Sequence, residues 1–240
     1  MKIVFETKSH YTEVLPQPKP AGKFVPDWYK NLSNNITDVK LDKYTLDDGE
    51  LFNNMTIKKC IPVRDALTSG YIIPLWSDMA VKRDNESTHF TWQTSRDGDE
   101  QLMNLQGHSE AQFQNTPLVK NTIGGAVWKF ESPWKIITPP GYSCIITHPL
   151  YHENYFEILP GVVDTDTMHE IHYPFKFNGP IGTYNVPAGT PLVQIIPFKR
   201  DDWTSEIRAN DNIDKVMKAR FSQKLSNVYR NFYHSKKTYR

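Results

Sequence analysis

Short runs of apolar residues, most of them four to eight long, recur along the middle of the chain and are separated by turn-forming residues. "TIKKCIPV", "GYIIPLW", "DMAVKR" and "THFTWQT" open the series from Thr56, and "GAVWKF", "WKIITP", "YSCIITH" and "YFEIL" continue it. "HEIHYPFKF" alternates cleanly, placing Ile171, Tyr173, Phe175 and Phe177 on one face and Glu170, His172 and Lys176 on the other. "TYNVPAG" and "PLVQIIPF" close the set. About ten short strands at this spacing predict an all-β sandwich or jelly roll rather than a parallel sheet. Trp92, Trp128 and Trp134 fall inside these runs and read as core.

The pattern changes at both ends. "VLPQPKPAGKFVPDWYKNL" holds four prolines, which favour extended backbone and exclude a central strand. Residues 1–55 therefore read as an extended N-terminal arm with a polar connection, anchored by Phe24, Trp28 and Tyr29. Residues 56–200 form the β domain, with a polar insertion over 95–122. From Ile213 the apolar residues Val216, Met217, Phe221, Leu225, Val228 and Phe232 recur every three or four positions, predicting an amphipathic helix within a 201–240 tail.

Composition adds four constraints. The 17 prolines and 12 glycines suit turns between strands. No run reaches the length of a membrane helix, and the start lacks the apolar core of a signal peptide, so the cytoplasm or a virion is the expected location. Cys60 and Cys144 read as buried free thiols. The net charge of +1 conceals an uneven distribution, for residues 215–240 carry eight Lys or Arg and no Asp or Glu. The rest holds 20 basic against 27 acidic residues, so an acidic surface on a neighbouring subunit is the preferred partner for the tail, ahead of nucleic acid.

The chemistry concentrates in "GVVDTDTMHEIHYPF", residues 161–175. Asp164 and Asp166 can serve as a base and a ligand contact, or as turn residues. His148, His152, His169 and His172 lie within 25 residues, and His148 or His152 with Asp164 is a candidate metal set. His169 and His172 differ in parity along the strand, which argues against a four-histidine site.

Four pieces in order, "SGYIIPLWSDMAV", "PPGYSCIITHP", "GVVDTD" and "VPAGTPLVQIIPF", resemble the motifs of the dUTPase and dCTP deaminase superfamily. "PPGYS", "GVVDTD" and "IPFKR" also resemble a family of tailed-phage proteins. The first resemblance implies a dUTPase-like β-clip or jelly-roll barrel in a homotrimer, with active sites between subunits. It implies that Asp164 activates water, that Gln194 lines a nucleotide pocket, and that Gly141, Gly161 and Gly189 mark tight turns. Asp166, His148 and Gly161 complete the candidate ligand contacts, and the cofactor is left open, with a divalent metal such as magnesium as the candidate.

The departures bear on activity. "THPLYHE" stands where the family carries an arginine and a serine for the phosphates, and no arginine lies between Arg96 and Arg200. Thr167 replaces a sugar-packing tyrosine, and no glycine follows Gly189 to form the family's glycine-rich closing arm. The expectation is a phage-type structural or interaction protein on this fold rather than a standard dUTPase. The alternatives are a nucleotide binder or hydrolase of altered specificity centred on Asp164, and a metal-dependent cupin-type oxygenase.

Overall fold

A computed structural model describes residues 1–35, 56–92, 104–119, 127–209 and 229–240. The chain divides into two compact units. The first comprises residues 1–24, 69–200 and 239–240, and the second residues 25–68 and 201–238. This division differs from the one composition suggests, because the start of the chain pairs into the first unit's sheets. Strand β1 (Val4–Glu6) runs antiparallel to β8 (Lys135–Ile137), and β2 (Lys19–Pro20) to β3 (Tyr71–Pro74). Part of the proline-dense stretch thus forms an edge strand, where a missing N–H does least harm.

All strand pairings in the first unit are antiparallel, and the described strands form open sheets rather than a closed barrel. The largest sheet has the order β11-β9-β14-β3-β2, with β9 spanning Tyr142–Thr147, β11 Gly161–Val163 and β14 Pro191–Lys199. A four-stranded sheet has the order β10-β12-β7-β6. Its strands are β10 (Phe156–Ile158), β12 (His172–Phe177), β7 (Trp128–Glu131) and β6 (Asn104–Gly107). A third sheet joins β13 (Gly182–Val186), β4 (Met79–Arg83) and β5 (Thr88–Trp92). Part of the polar 95–122 segment is therefore a strand, β6, which pairs with β7.

These sheets share one core. The alternation along β12 behaves as its sequence requires, with Tyr173, Phe175 and Phe177 buried and His172 exposed. Phe130 on β7 is completely buried, stacks on Phe175 at 4.2 Å between ring centroids, and meets Phe156 and Trp76 edge-on. Offset and edge-to-face arrangements let the rings pack without aligning their like-charged faces. Trp134 is buried, whereas Trp92 and Trp128 are half-buried against the same cluster. Gly70 shows why one position must lack a side chain. Its φ is +68°, and a Cβ there would stand 1.9 Å from the Ile195 carbonyl oxygen.

In the second unit, "TIKKCIPV" is not a strand. A 3-10 turn over Ile57–Lys59 leads into helix α3 (Ile61–Thr68), which follows two shorter helices earlier in the chain, α1 (Tyr11–Val14) and α2 (Asp27–Asn31). Pro62 lies in the first turn, where its missing N–H has no helical partner to lose. Val63 and Leu67, four apart, then bury one face against Tyr29. A short apolar run is equally compatible with strand and helix, and here the four-residue spacing decides. The helix expected from Ile213 falls mostly outside the described residues, and residues 36–55 of the polar connection lie wholly outside them.

Truncating the central ring tests this core. Phe130→Ala should lower unfolding free energy by about 3–5 kcal/mol. Urea denaturation reads the loss, and a change below about 1 kcal/mol would contradict the central packing role.

Candidate functional site

"GVVDTDT" is a strand end followed by a tightly bonded turn. Val163 is the last β11 residue paired with β9, opposite Cys144, which brings Asp164 level with Ser143. The Asp164 carbonyl then accepts the N–H groups of Thr167 (3.0 Å) and Met168 (2.8 Å). Thr165 is buried, and its hydroxyl lies 2.7 Å from that of Thr138 and 3.3 Å from the Cys144 sulfur.

The two aspartates have different environments. Asp166 is 6% exposed, and its Oδ2 accepts the Gly141 N–H at 2.8 Å. Arg200, the first residue beyond β14, grips both of its oxygens, Nη1 to Oδ1 at 2.9 Å and Nη2 to Oδ2. The Arg200 backbone N–H also bonds to Gly141 O at 2.9 Å, closing a ring of contacts. Hydrogen bonding from the guanidinium is the main reason the Asp166 carboxyl is held down at about 2. Asp164 is 61% exposed, and its Oδ1 accepts the Ser143 hydroxyl at 2.6 Å. Arg200 Nη1 stands 3.2 Å from the same oxygen. That nitrogen also approaches Tyr142 O at 3.2 Å and Ser143 Oγ at 2.9 Å, more oxygens than its two hydrogens can serve. Its attraction for Asp164 is therefore chiefly a matter of charge. The guanidinium arrives from a position after the last strand that the spacing of "GVVDTD" does not reveal.

The other candidate residues lie at the far end of β9. Gln194 on β14 pairs with Thr147, whereas Lys199 pairs with Tyr142. Five residues of strand therefore separate the two levels, roughly 17 Å. Gln194 is 1% exposed, accepts the Leu150 N–H at 2.8 Å and donates to Ser69 O at 2.7 Å. Both ring nitrogens of His148 are 3.0 Å from carbonyl oxygens, those of Phe156 and His152. Neither nitrogen has a lone pair directed at open space, and the chain does not bring His148 to Asp164. Burial, with a smaller effect from His148, lowers His152 to about 4. His169 Nδ1 lies 3.1 Å from Thr165 O, and His172 projects from the exposed face of β12. Gly161 is an ordinary strand residue paired with Ile146, not a tight turn, whereas Gly141 does adopt a φ of +82°.

A divalent metal does not fit this arrangement. Among the described residues no group of three or more His, Cys, Asp or Glu is placed to hold one. At Asp164, Arg200 already supplies a positive charge 3.2 Å from the carboxylate. Among the described residues no helix is long and apolar enough to cross a membrane.

No family model matches the chain, and no curated protein matches it. Among solved structures it is similar to the dUTPase from phage phi11 of S. aureus, at 16% identity and a TM-score of 0.26 over 37% of this chain and 74% of that one. A mutant of that dUTPase, whose structure concerns coordination of a structural Mg(II) ion, gives the same identity and TM-score over 35% and 72%. A mutant dUTPase of Staphylococcus bacteriophage 80alpha gives 10% identity and a TM-score of 0.31 over 61% and 85%. Likenesses this small carry no argument about fold or activity, and the architecture rests on the strand registers.

Asp166 and His152 carry the largest contributions to the response to acid, beside smaller ones from the lowered carboxyls of Asp65, Asp84, Glu157 and Glu170. Asp166 is depressed from 3.8, so its contribution to stability is complete above that value and is lost as pH falls towards about 2. His152 is a base depressed from 6.5 to about 4, so the unfolded chain takes up its proton first and stability also falls across that interval. Urea midpoints measured from pH 7 to pH 2.5 should fall in two stages. Asp166→Asn should shrink the lower stage, to which Asp65 and Glu157 also contribute, and leave the upper one, and an unchanged profile would show that the Asp166–Arg200 ion pair contributes nothing.

Proposed function

We propose that this chain is a structural or interaction protein on a dUTPase-like β architecture, not a dUTP hydrolase. The observation that supports this reading is where the polar side chains of the motif-like segments go. Arg200, the one arginine near Asp164 among the described residues, is committed to Asp166, and Gln194 and His148 are committed to backbone groups of their own chain. A triphosphate needs several cationic and N–H donors free to converge on it. Here those donors hold the turn after β11 and the loop after β9.

Assembly with further copies of the chain belongs to the same reading. Val162 (64% exposed) and Ile145 (39% exposed) are cross-strand partners on β11 and β9, and β11 is an edge strand. Neighbouring β-branched side chains on an open edge favour association. Light scattering should report a mass above that of one chain. Val162→Lys should shift the distribution towards monomer, and a monomeric wild type at high concentration would refute self-association.

A second reading, an altered nucleotide binder, draws on Asp164 itself. Its carboxylate is 61% exposed, and its Oδ2 has no partner among the described residues. A thermal-shift screen with nucleoside mono-, di- and triphosphates, with and without magnesium, separates the two readings. The structural reading expects no shift at millimolar ligand. Ligand at a hundred times its dissociation constant adds about 2.7 kcal/mol of stability, and such a shift, abolished in Asp164→Asn, would establish the second reading instead.

A further inference from the structure

The basic end of the chain has an acidic partner within its own unit. Asp65 on α3 is 17% exposed and accepts from Lys237 Nζ at 2.8 Å, and His234 Nε2 lies 3.0 Å from the same carboxylate. Burial alone would raise the Asp65 carboxyl, but hydrogen bonds from Lys237 and His234 outweigh it and hold the group below its ordinary value. His234 is 9% exposed, so this contact fixes the segment as well as neutralising part of it.

What remains outside the contact has a definite character. A five-residue turn over Tyr229–Tyr233 is closed by the His234 N–H on Tyr229 O at 2.8 Å. Tyr229 is 46% and Tyr233 51% exposed, and Arg230 stands between them in sequence. Arg230 and Lys236 are exposed, with no ion-pair partner among the described residues. Two solvent-facing aromatic rings interleaved with free cations suit a charged backbone that also presents flat bases. An acidic protein surface would use the cations and leave the rings without a role. Base-paired nucleic acid would do the same, because its bases are already stacked.

We propose that residues 229–237 form a binding surface for single-stranded nucleic acid, on which Asp65 is an internal competitor that holds back Lys237 and His234. Arg230 and Lys236 meet phosphates, and Tyr229 and Tyr233 stack on unpaired bases. A strand phosphate that displaces Asp65 from Lys237 gains a third cation.

The test is fluorescence anisotropy with a labelled oligothymidylate across a salt series, using the full chain. Two cations predict a slope of log K against log salt of about −1.4, at about 0.7 per phosphate contact on a single strand. Asp65→Asn frees Lys237, so the slope should steepen to about −2.1 and affinity at 0.1 M salt should rise about five-fold. Tyr229→Ser with Tyr233→Ser should weaken binding while leaving the slope unchanged. Arg230→Gln with Lys236→Gln should abolish most of the salt dependence, and circular dichroism confirms that each variant is folded. No binding at low salt overturns the proposal, as does an unchanged or weaker affinity in Asp65→Asn. Equal binding of polyglutamate, unaffected by the tyrosine substitutions, overturns it in favour of an acidic protein partner.

Discussion

The pairing of β9 with its two neighbours is the constraint from which the rest of the first unit is arranged. Over six residues β9 is bonded to β14 on one side, and over three to β11 on the other. Antiparallel register leaves no freedom, since a slip of one residue would turn every buried side chain outward. Cys144 and Ile146 are buried on one side of β9, and Val193 and Ile195 on β14 are likewise in the core. Once these registers are set, Arg200 must emerge beside Gly141 and Asp166, while Gln194 must lie beside Thr147. The two groups of polar side chains are thus the two ends of one strand.

Each end satisfies backbone groups that would otherwise be stranded as the chain leaves the sheet. At one end Asp166 accepts the Gly141 N–H and holds Arg200, and Thr138 donates its N–H to the Thr165 carbonyl at 3.2 Å. At the other, Gln194 joins Leu150 to Ser69, and Asn154 donates to Pro191 O at 2.7 Å. Leaving a buried donor or acceptor unpaired costs about 1–3 kcal/mol, comparable with a good fraction of a domain's net stability. Side chains that the motif resemblance suggests for a ligand are therefore under a structural demand strong enough to keep them in place.

The strands were legible because their periodicity is a local property. Tyr173, Phe175 and Phe177 are buried as the alternation of β12 requires, β3, β4, β5 and β9 fall within the runs read from sequence, and β14 extends its run by one residue. Helix α3 is less legible because an apolar run as short as "TIKKCIPV" does not distinguish the two periods, and the helical spacing shows only once Leu67, beyond that run, is buried together with Val63. The site was less legible than the strands. Asp164 and Asp166 are neighbours in sequence, yet one is exposed and the other nearly enclosed, because only Asp166 is gripped at both oxygens by Arg200. That difference comes from a residue 34 positions away, brought close by the β9–β14 register. The separation of His148 from Asp164 has the same origin, since sequence distance does not show which ends of two strands meet.

The Arg200 contact also bears on how tension would pass along the chain. Arg200 is the last residue of the first unit's central segment, and Asp201 begins the next segment of the second. A pull applied through Asp201 therefore reaches Arg200 before any strand. There it meets a side chain clamped to the turn after β11 and a backbone N–H bonded to Gly141. Strand β14 cannot be peeled from this end one hydrogen bond at a time until that clamp opens. The force is instead spread over three segments at once, so the ion pair acts as a mechanical stop for the sheet.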